Sequence, residues 1–499
     1  MGTNCNLYLF TLLHYNTERI MNLWQLFLIF LTAGINLTAL YMLLKDGNKP
    51  YRIWAWLMTI FSIPILGGTL FFTFGLNRRR VKLFNAKELI DDKQIKAFLK
   101  EYKNNIEPFK IEDVNIQREY KKLISFLENA NNSPLTFNNE VTILNNGEET
   151  FEAIFKACEA AKNSIYIEYY IYENGKIADR LSQIFIRKLK EGVTVNIIYD
   201  GLGSWSLSKD YINKLKQAGA KVFCFQKVRL VFLARTNYRN HRKILVVDNE
   251  IGFTGGINID DKYLYGDKKL GTWADTHLQI KGMAVNFLKF IFFNDWYFVS
   301  GENLFTPNAL CLYEYKKNVP TQIVASGPDL KYAAILNEYI SIINGADDYV
   351  YIANPYLIPP ESLLLALKSA AMSGVDIRII VPEKSDSVIV KWAVRSYFET
   401  LLESGVKIYL YQPGFLHSKI ILSDDTVCSI GTANLDIRSF EQNFEVNAIM
   451  YHEETTLKLK EQFFGFLEDS EVLTLEKFQQ RKNIDYLKEN FARLVSPLI

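Results

Sequence analysis

Apolar positions along this chain fall into three regimes. From Leu23 to Leu44 the sequence runs 22 residues without a charged side chain, and from Ile53 to Leu76 it runs 24. Each stretch is long enough to cross a bilayer core of about 30 Å as a helix. Trp24, Trp54 and Trp56 stand near the ends of these stretches, where aromatic belts form. Pro64 and Gly67-Gly68 interrupt the second stretch, and transmembrane helices tolerate such residues. The connection is only eight residues, 45–52, so the pattern predicts a hairpin of two spanning helices at about 23–44 and 53–76. A pair of buried core helices is the plainer reading, but soluble core helices seldom run uncharged for so long.

From Val81 to Asn131 the chain is charged and helical in pattern, and Asn131-Asn-Ser-Pro134 closes that segment. Beyond it, short apolar runs alternate with amphipathic stretches, and the order repeats. Ser164–Tyr170 reads as a strand, Lys176–Lys190 as a helix and Gly192–Tyr199 as a buried strand. A helix ending at Gly219 and a strand 221–225 follow. In the second copy the matching pieces are strand 349–353, helix 360–373, strand 374–381, a helix closed by Gly405 and strand 406–411. Strands alternating with helices predict an α/β fold with each sheet buried on both faces. The expected division is an anchor at 1–80, a helical linker at 81–131, and two α/β domains at 132–312 and 313–499.

Composition narrows the options. The 57 Lys+Arg against 55 Asp+Glu exclude a globally basic nucleic-acid binder. Five scattered cysteines without a C-x-x-C pair argue against a disulfide framework and a thiolate metal site. The basic residues near the spans are unevenly placed: Arg78, Arg79, Arg80, Lys82 and Lys87 follow the second, against Lys45, Lys49 and Arg52 between the two. That bias predicts a cytoplasmic catalytic part and a multi-pass membrane protein. A cleaved signal peptide fits poorly, because a second span follows at once. Met21 offers a second start, and residues 1–20 carry no recognised role.

The chemistry lies in one constellation that occurs twice. His241-Arg-Lys243 is followed by Asp248 and then Gly255-Gly256-Ile-Asn258; His417-Ser-Lys419 is followed by Asp424 and then Gly431-Thr432-Ala-Asn434. The shared pattern is H-x-K-x4-D-x6-G-[GT]-x-N, repeated 176 positions apart. His and Lys two apart on an extended chain point the same way. Each copy then offers one imidazole, one fixed cation and one amide. Two copies facing each other would surround a phosphodiester: one imidazole attacks, the other protonates the leaving alcohol, and the lysines and asparagines hold the nonbridging oxygens. Gly256 and Thr432, beside those asparagines, are expected to line the same phosphate. The lysines supply the positive charge, so no metal or other cofactor is expected. Asp248 and Asp424 fall on the opposite parity and are expected to brace strand and loop.

Asp275, in Trp273-Ala-Asp-Thr-His277, and Glu445, in Asn443-Phe-Glu-Val-Asn447, open apolar strands at comparable places. Each is expected to orient an imidazole. The first copy also carries ten extra residues within Gln226–Asn240, where Arg229, Phe232, Arg235 and Arg239 mix apolar and cationic side chains. Two readings fit: a core strand with a solvated loop, or a lip that dips into the bilayer and holds anionic headgroups.

These residues resemble the phospholipase D superfamily, whose hallmark is the duplicated motif, and more narrowly the bacterial cardiolipin synthases with a two-helix anchor. The likeness extends from about residue 23 to the C-terminus. It includes Phe74-Gly-Leu-Asn77, Glu168-Tyr-Tyr-Ile-Tyr172, Tyr199-Asp-Gly-Leu-Gly-Ser204, Asn354-Pro-Tyr-Leu-Ile-Pro359 and Gly431-Thr-Ala-Asn-Leu-Asp-Ile-Arg-Ser439. Ala274 departs from it, standing where a basic residue is expected.

The resemblance implies two tandem phospholipase D-like αβα domains packed as a pseudo-dimer behind a transmembrane hairpin. It implies phosphatidyl transfer between two phosphatidylglycerols, giving cardiolipin and glycerol through a phosphohistidine. His241, Lys243, Asp248, His417, Lys419 and Asp424 are then the catalytic motif positions, and Asn258 and Asn434 the phosphate ligands. Either histidine can attack by the spacing alone; family habit favours His241. Membrane phospholipids are the implied partners, and nucleic acid is not. A hydrolase or nuclease could use the same motif, but a nuclease should show a basic groove and no anchor. A scaffold derived from an enzyme should have lost a His or Lys, and here all four stand.

Overall fold

The computed structural model describes residues 4–45, 50–72, 98–102, 119–226, 238–305, 310 and 318–496. The chain separates into two compact units, the first comprising the N-terminal helices and the second the α/β part.

In the N-terminal unit, α1 spans Asn4–Lys45, α2 Pro50–Ser62 and α3 Pro64–Leu70. Within α1, Trp24–Lys45 is long and apolar enough to cross a membrane, and only about a tenth of its most apolar stretch is buried. Trp24, Phe27, Ile29, Phe30 and Leu37 point outward, as lipid-facing side chains would. The second apolar stretch departs from expectation. It is not one helix over 53–76 but two pieces, broken at Ile63, whose ψ of 74° is not helical. Pro64 has no backbone N–H and takes the first turn of a new helix. The part beyond residue 72 lies outside the described residues. Trp56 meets Phe71 edge-on at 5.4 Å, and Ala39, Leu43, Ile60 and Phe71 form a small core. Gly68 is required there, since a Cβ would collide with Ile35 of α1.

In the α/β unit a helical turn at 98–102 precedes α4, Lys121–Asn131. The first sheet uses β1 Asn139–Asn145, β2 Ser164–Tyr169, β3 Thr194–Asp200, β4 Lys221–Phe225, β5 Lys243–Val247, β6 Ile251–Gly255 and β7 Thr276–Gly282. The second uses β8 Thr321–Ser326, β9 Tyr349–Ala353, β10 Asp376–Pro382, β11 Lys407–Tyr411, β12 Ile420–Ser423, β13 Val427–Gly431, β14 Glu445–Met450 and β15 Ser470–Leu473. Their orders are 1-7-6-5-2-3-4 and 8-14-13-12-9-10-11-15. The second order is the first one repeated, with β15 added at the edge. β2, β3 and β4 run parallel, as do β9, β10 and β11; the remaining pairs are antiparallel.

Helices cover both faces. In the first half α5 (Asn146–Ala160) and α6 (Lys176–Lys190) pack through Phe151, Ile154, Leu181 and Phe185 against Ile165, Ile197, Leu245 and Phe253. α7 (Val285–Ser300) covers the other face. In the second half α8 (Ala334–Gly345) and α9 (Glu361–Met372) do the same with Ile335, Tyr339 and Leu367, and α10 (Glu453–Glu468) matches α7. One central core then joins the halves: Ile244, Leu278 and Leu288 of the first with Ile420, Val446, Leu459 and Phe463 of the second. Each such buried aliphatic side chain stabilises the fold by about 1.5–3 kcal/mol.

The hairpins β5–β6 and β12–β13 settle the motif aspartates. Both turns have positive φ at two consecutive residues, Asp248-Asn249 and Asp424-Asp425. The backbone N–H of Glu250 and of Thr426 closes each turn on Val247 and Ser423, the pattern of a type I′ turn. The Asp248 carboxylate accepts from the backbone of Lys162, Asn163 and Ser164, and Asp424 accepts from Asp347, Asp348 and Tyr349. Each aspartate therefore pins the start of β2 or β9 to the hairpin beside it. Their place among the catalytic residues is corrected: they brace the scaffold.

Asp424→Ala strands three backbone donors and is expected to cost about 2 kcal/mol or more. Thermal unfolding of the detergent-solubilised protein should show a lowered Tm, and an unchanged Tm would contradict the bracing role.

Candidate active site

Each motif histidine stands just ahead of its strand, where its backbone joins the other half. The His241 N–H donates to Phe444 O at 2.9 Å, and the His417 N–H donates to Ala274 O at 2.7 Å. Residues Gly414–Leu416, leading into His417, pair in parallel with Thr272–Ala274. Position 274 thus works through its carbonyl.

The side chains are crossed in the same way. His241 Nδ1 lies 2.9 Å from Glu445 Oε2, and His417 Nδ1 lies 2.7 Å from Asp275 Oδ2. Each carboxylate fixes the imidazole of the opposite half, leaving Nε2 for chemistry. Both carboxylates are fully buried, while the histidines keep 8 % exposure, enough to meet a ligand. Lys243 and Lys419 are buried between them and donate to the carbonyls of His241 and His417.

Thr432 and Gly256 serve the carboxylates, which corrects their expected place against the phosphate. Thr432 Oγ1 donates to Glu445 Oε2 at 2.6 Å and accepts from the Val446 N–H. Gly256 has no room for a side chain, because a Cβ would collide with Asp275 Oδ1. Asn258 accepts from the Ile171 N–H and donates to the Tyr263 hydroxyl, which lies 3.4 Å from His417 Nδ1. Asn434 Oδ1 is buried without a partner.

The apolar, arginine-rich segment resolves differently from the lip reading at one position. Arg239 is buried, pairs with Asp200 at 3.5 Å and donates to Gln226 O. It is a structural ion pair inside the first half. Arg229, Phe232 and Arg235 lie outside the described residues.

Burial shapes the electrostatics. It pushes the His241 imidazole down to about 4, against the opposing pull of Glu445. His417 is also lowered, by burial and then by the Lys419 and Lys243 charges. Lys243 falls to about 7 and Lys419 to about 8, burial again dominating. Asp275 is raised to about 7 by burial, whereas Glu445 stays ionised: burial pushes it up, but His241, Lys243 and Thr432 together outweigh that. The centre is a buried cluster whose cations lose more to burial than the surrounding carboxylates restore, as suits a site for an anion.

Several neighbours escaped sequence reasoning. Tyr170 lies edge-on to His241 at 4.7 Å between ring centroids; Trp273 and Phe415 flank His417 at 5.8 and 5.9 Å. Arg242, between His241 and Lys243, is clamped by Asp295 and donates through Nε to Glu445 O and through a terminal nitrogen to Ser326 O. Its counterpart Ser418 bonds Thr276 at 2.7 Å. Both x positions of H-x-K therefore join the halves, a role invisible until the sheets are assembled.

A duplicated sheet sharing one site with two histidines and two lysines defines the phospholipase D class. The family described as cardiolipin synthase, PLD-like domain matches residues 154–290 and 339–466, and the Phospholipase_D-nuclease N-terminal family matches 34–75. A cardiolipin synthase of Geobacillus sp. strain WCH70 is 44 % identical over 92 % of this chain and 91 % of its own. One from Clostridium perfringens is 40 % identical over 91 % and 95 %. The crystal structure of phosphatidylserine synthase from Haemophilus influenzae aligns with 76 % of this chain and all of its own, at a TM-score of 0.56 and 16 % identity, and shares the fold. The chain belongs to the cardiolipin synthase family of phospholipase D-like proteins. With its apolar span, it is a membrane-associated member.

Two outcomes follow from this geometry. Gly256→Ala should displace Asp275 and lower turnover roughly ten- to hundredfold, with circular dichroism unchanged; full turnover would contradict the crowding. Lysines with lowered pKa are charged below, and neutral above, about 7 to 8. The kcat/KM for an anionic substrate should therefore fall as pH rises through that range, and a profile still rising at pH 9 would contradict it.

Proposed function

We propose that this chain is a cardiolipin synthase, which moves the phosphatidyl group of one phosphatidylglycerol to the terminal hydroxyl of a second and releases glycerol. One observation carries the reading: two crossed imidazole–carboxylate pairs enclose two buried lysines. It is joined by relatives of that name aligned over nine-tenths of the chain.

His241 is the nucleophile. Ionised Glu445 takes its Nδ1–H and directs the Nε2 lone pair outward. The Nε2–P bond forms as the P–O bond to glycerol breaks. The departing oxygen takes its proton from the His417–Asp275 pair, whose raised Asp275 lets the pair hold a proton to about pH 7. The second lipid then gives its hydroxyl proton back to that pair, its oxygen bonds to phosphorus, and the Nε2–P bond breaks. Lys243, Lys419 and Asn434 hold the nonbridging oxygens, whereas Asn258, expected there too, has its amide taken by the Ile171 N–H and by Tyr263 and positions that tyrosine against His417.

Residues 1–80 anchor the enzyme, 81–131 link, and 132–312 and 313–499 each supply half of the centre. The anchor favours transfer over hydrolysis, because a phosphoenzyme at a lipid surface meets headgroup hydroxyls at high effective concentration and meets less water. The two uncharged stretches at 23–44 and 53–76 support two crossings, and the surplus of Arg78, Arg79, Arg80, Lys82 and Lys87 supports a cytoplasmic catalytic part.

Purified protein in phosphatidylglycerol vesicles should yield cardiolipin and glycerol in equal amounts. Lys419→Ala should lower the rate about a hundredfold or more. Phosphatidic acid as the only lipid product would defeat the reading.

A further inference from the structure

The two reacting lipids differ in what lies beyond the glycerol hydroxyl that departs or attacks. The departing glycerol carries nothing further, whereas the attacking glycerol still bears the phosphate of its own lipid. A charge that recognised this second phosphate would prefer a lipid acceptor to water or free glycerol. Attack at phosphorus proceeds in line, with entering and leaving groups opposite. If His241 bonds to phosphorus on one side, both alcohols bind on the His417 side.

That side has a cation which the phosphoryl chemistry leaves unused. Lys262 lies four residues after Asn258, at the head of the one-turn helix Lys262–Tyr265. Its Nζ stands 4.5 Å over the ring of Trp273, which flanks His417 at 5.8 Å. The adjacent residue, Tyr263, touches both Asn258 and His417. Lys262 pairs with Asp260 at 2.8 Å and keeps 23 % of its side chain exposed, so it is both held and reachable. It is also close enough for its charge to depress His417 and Lys243. The matching residue of the second half, Arg438, four after Asn434, acts on Tyr170 and Asp436 instead, on the His241 side.

We propose that Lys262 binds the phosphate of the acceptor phospholipid, making the face over Trp273 and His417 an acceptor-headgroup subsite. An ammonium is a compact point charge suited to a phosphate oxygen. The proposal rests on the functional reading above, including His241 as nucleophile. It makes Lys262 the residue that decides the fate of the phosphatidyl-histidine: the acceptor lipid resolves it to cardiolipin, water to phosphatidic acid.

The test uses the full-length protein in phosphatidylglycerol vesicles and measures glycerol, cardiolipin and phosphatidic acid together. Wild type should release one glycerol per cardiolipin. In Lys262→Gln, glycerol should exceed cardiolipin, phosphatidic acid should make up the difference, and the cardiolipin-to-phosphatidic acid ratio should fall roughly tenfold, as loss of one charge-assisted contact implies. Lys262→Arg should restore most of the ratio. Incorporation of labelled free glycerol into phosphatidylglycerol, which needs no acceptor phosphate, should rise relative to cardiolipin in Lys262→Gln. A wild-type ratio in Lys262→Gln overturns the proposal, and so does an equal shift in Arg438→Gln or a loss of glycerol release altogether. A wild-type protein that makes no cardiolipin defeats the functional reading instead.

Discussion

Two short hydrogen bonds, each from an imidazole of one half to a carboxylate of the other, are the constraint on which the rest of the structure turns. Neither half holds a complete site. The first supplies His241 but needs Glu445, and the second supplies His417 but needs Asp275. The backbone repeats the exchange, since each histidine N–H also ends on a carbonyl of the opposite half. The central core, with α7 and α10 between the sheets, keeps those partners in register. Arg242 and the Thr276–Ser418 contact tie the same seam at the motif itself. A shift of one sheet against the other would release both imidazoles at once.

Burial gives these bonds their chemical meaning. Taking charged groups out of water costs several kcal/mol each unless partners compensate. Burial lowers Lys243 and Lys419 although carboxylates surround them, Glu445 and Asp275 near both and Asp386 and Asp436 near Lys419, and Lys419 further depresses Lys243. An entering phosphodiester supplies a further counter-charge to these buried cations, so the cost of burying them becomes selectivity for an anion. The carboxylates divide the work. Glu445, with Thr432 and His241 beside it, remains an anion, whereas Asp275 is pushed toward its protonated form. Two nearly symmetric halves thus acquire different acid–base character, one suited to attack and the other to proton transfer.

The repeat was legible because short apolar runs alternating with amphipathic stretches, and matched H-x-K frames, are local signals. The second sheet repeats the strand order of the first, with β15 the only addition among the described strands. Positions of the two carboxylates were legible as well, since Asp275 and Glu445 open equivalent strands, β7 being preceded by Asp275 and β14 beginning at Glu445. Which imidazole each one meets was not legible, because the crossing depends on the parallel pairing of Thr272–Ala274 with Gly414–Leu416. Gly256 and Thr432 were misplaced for a related reason: a residue beside a ligand in sequence can face away from it into the supporting layer. Arg239 resembled a surface cation until β3 brought Asp200 against it. The second apolar stretch showed its length but not its break, because hydropathy does not register the lost N–H of Pro64.

The crossing itself can be observed directly. With only five histidines in the chain, selective ¹⁵N-histidine labelling in detergent isolates the imidazole N–H protons, and those bonded to buried carboxylates should resonate far downfield. The account predicts two such signals. The one lost in Glu445→Gln should be the one lost in His241→Gln, and the one lost in Asp275→Asn should be the one lost in His417→Gln. If Asp275→Asn instead removes the His241 signal, each half orients its own histidine and the shared site described here is wrong.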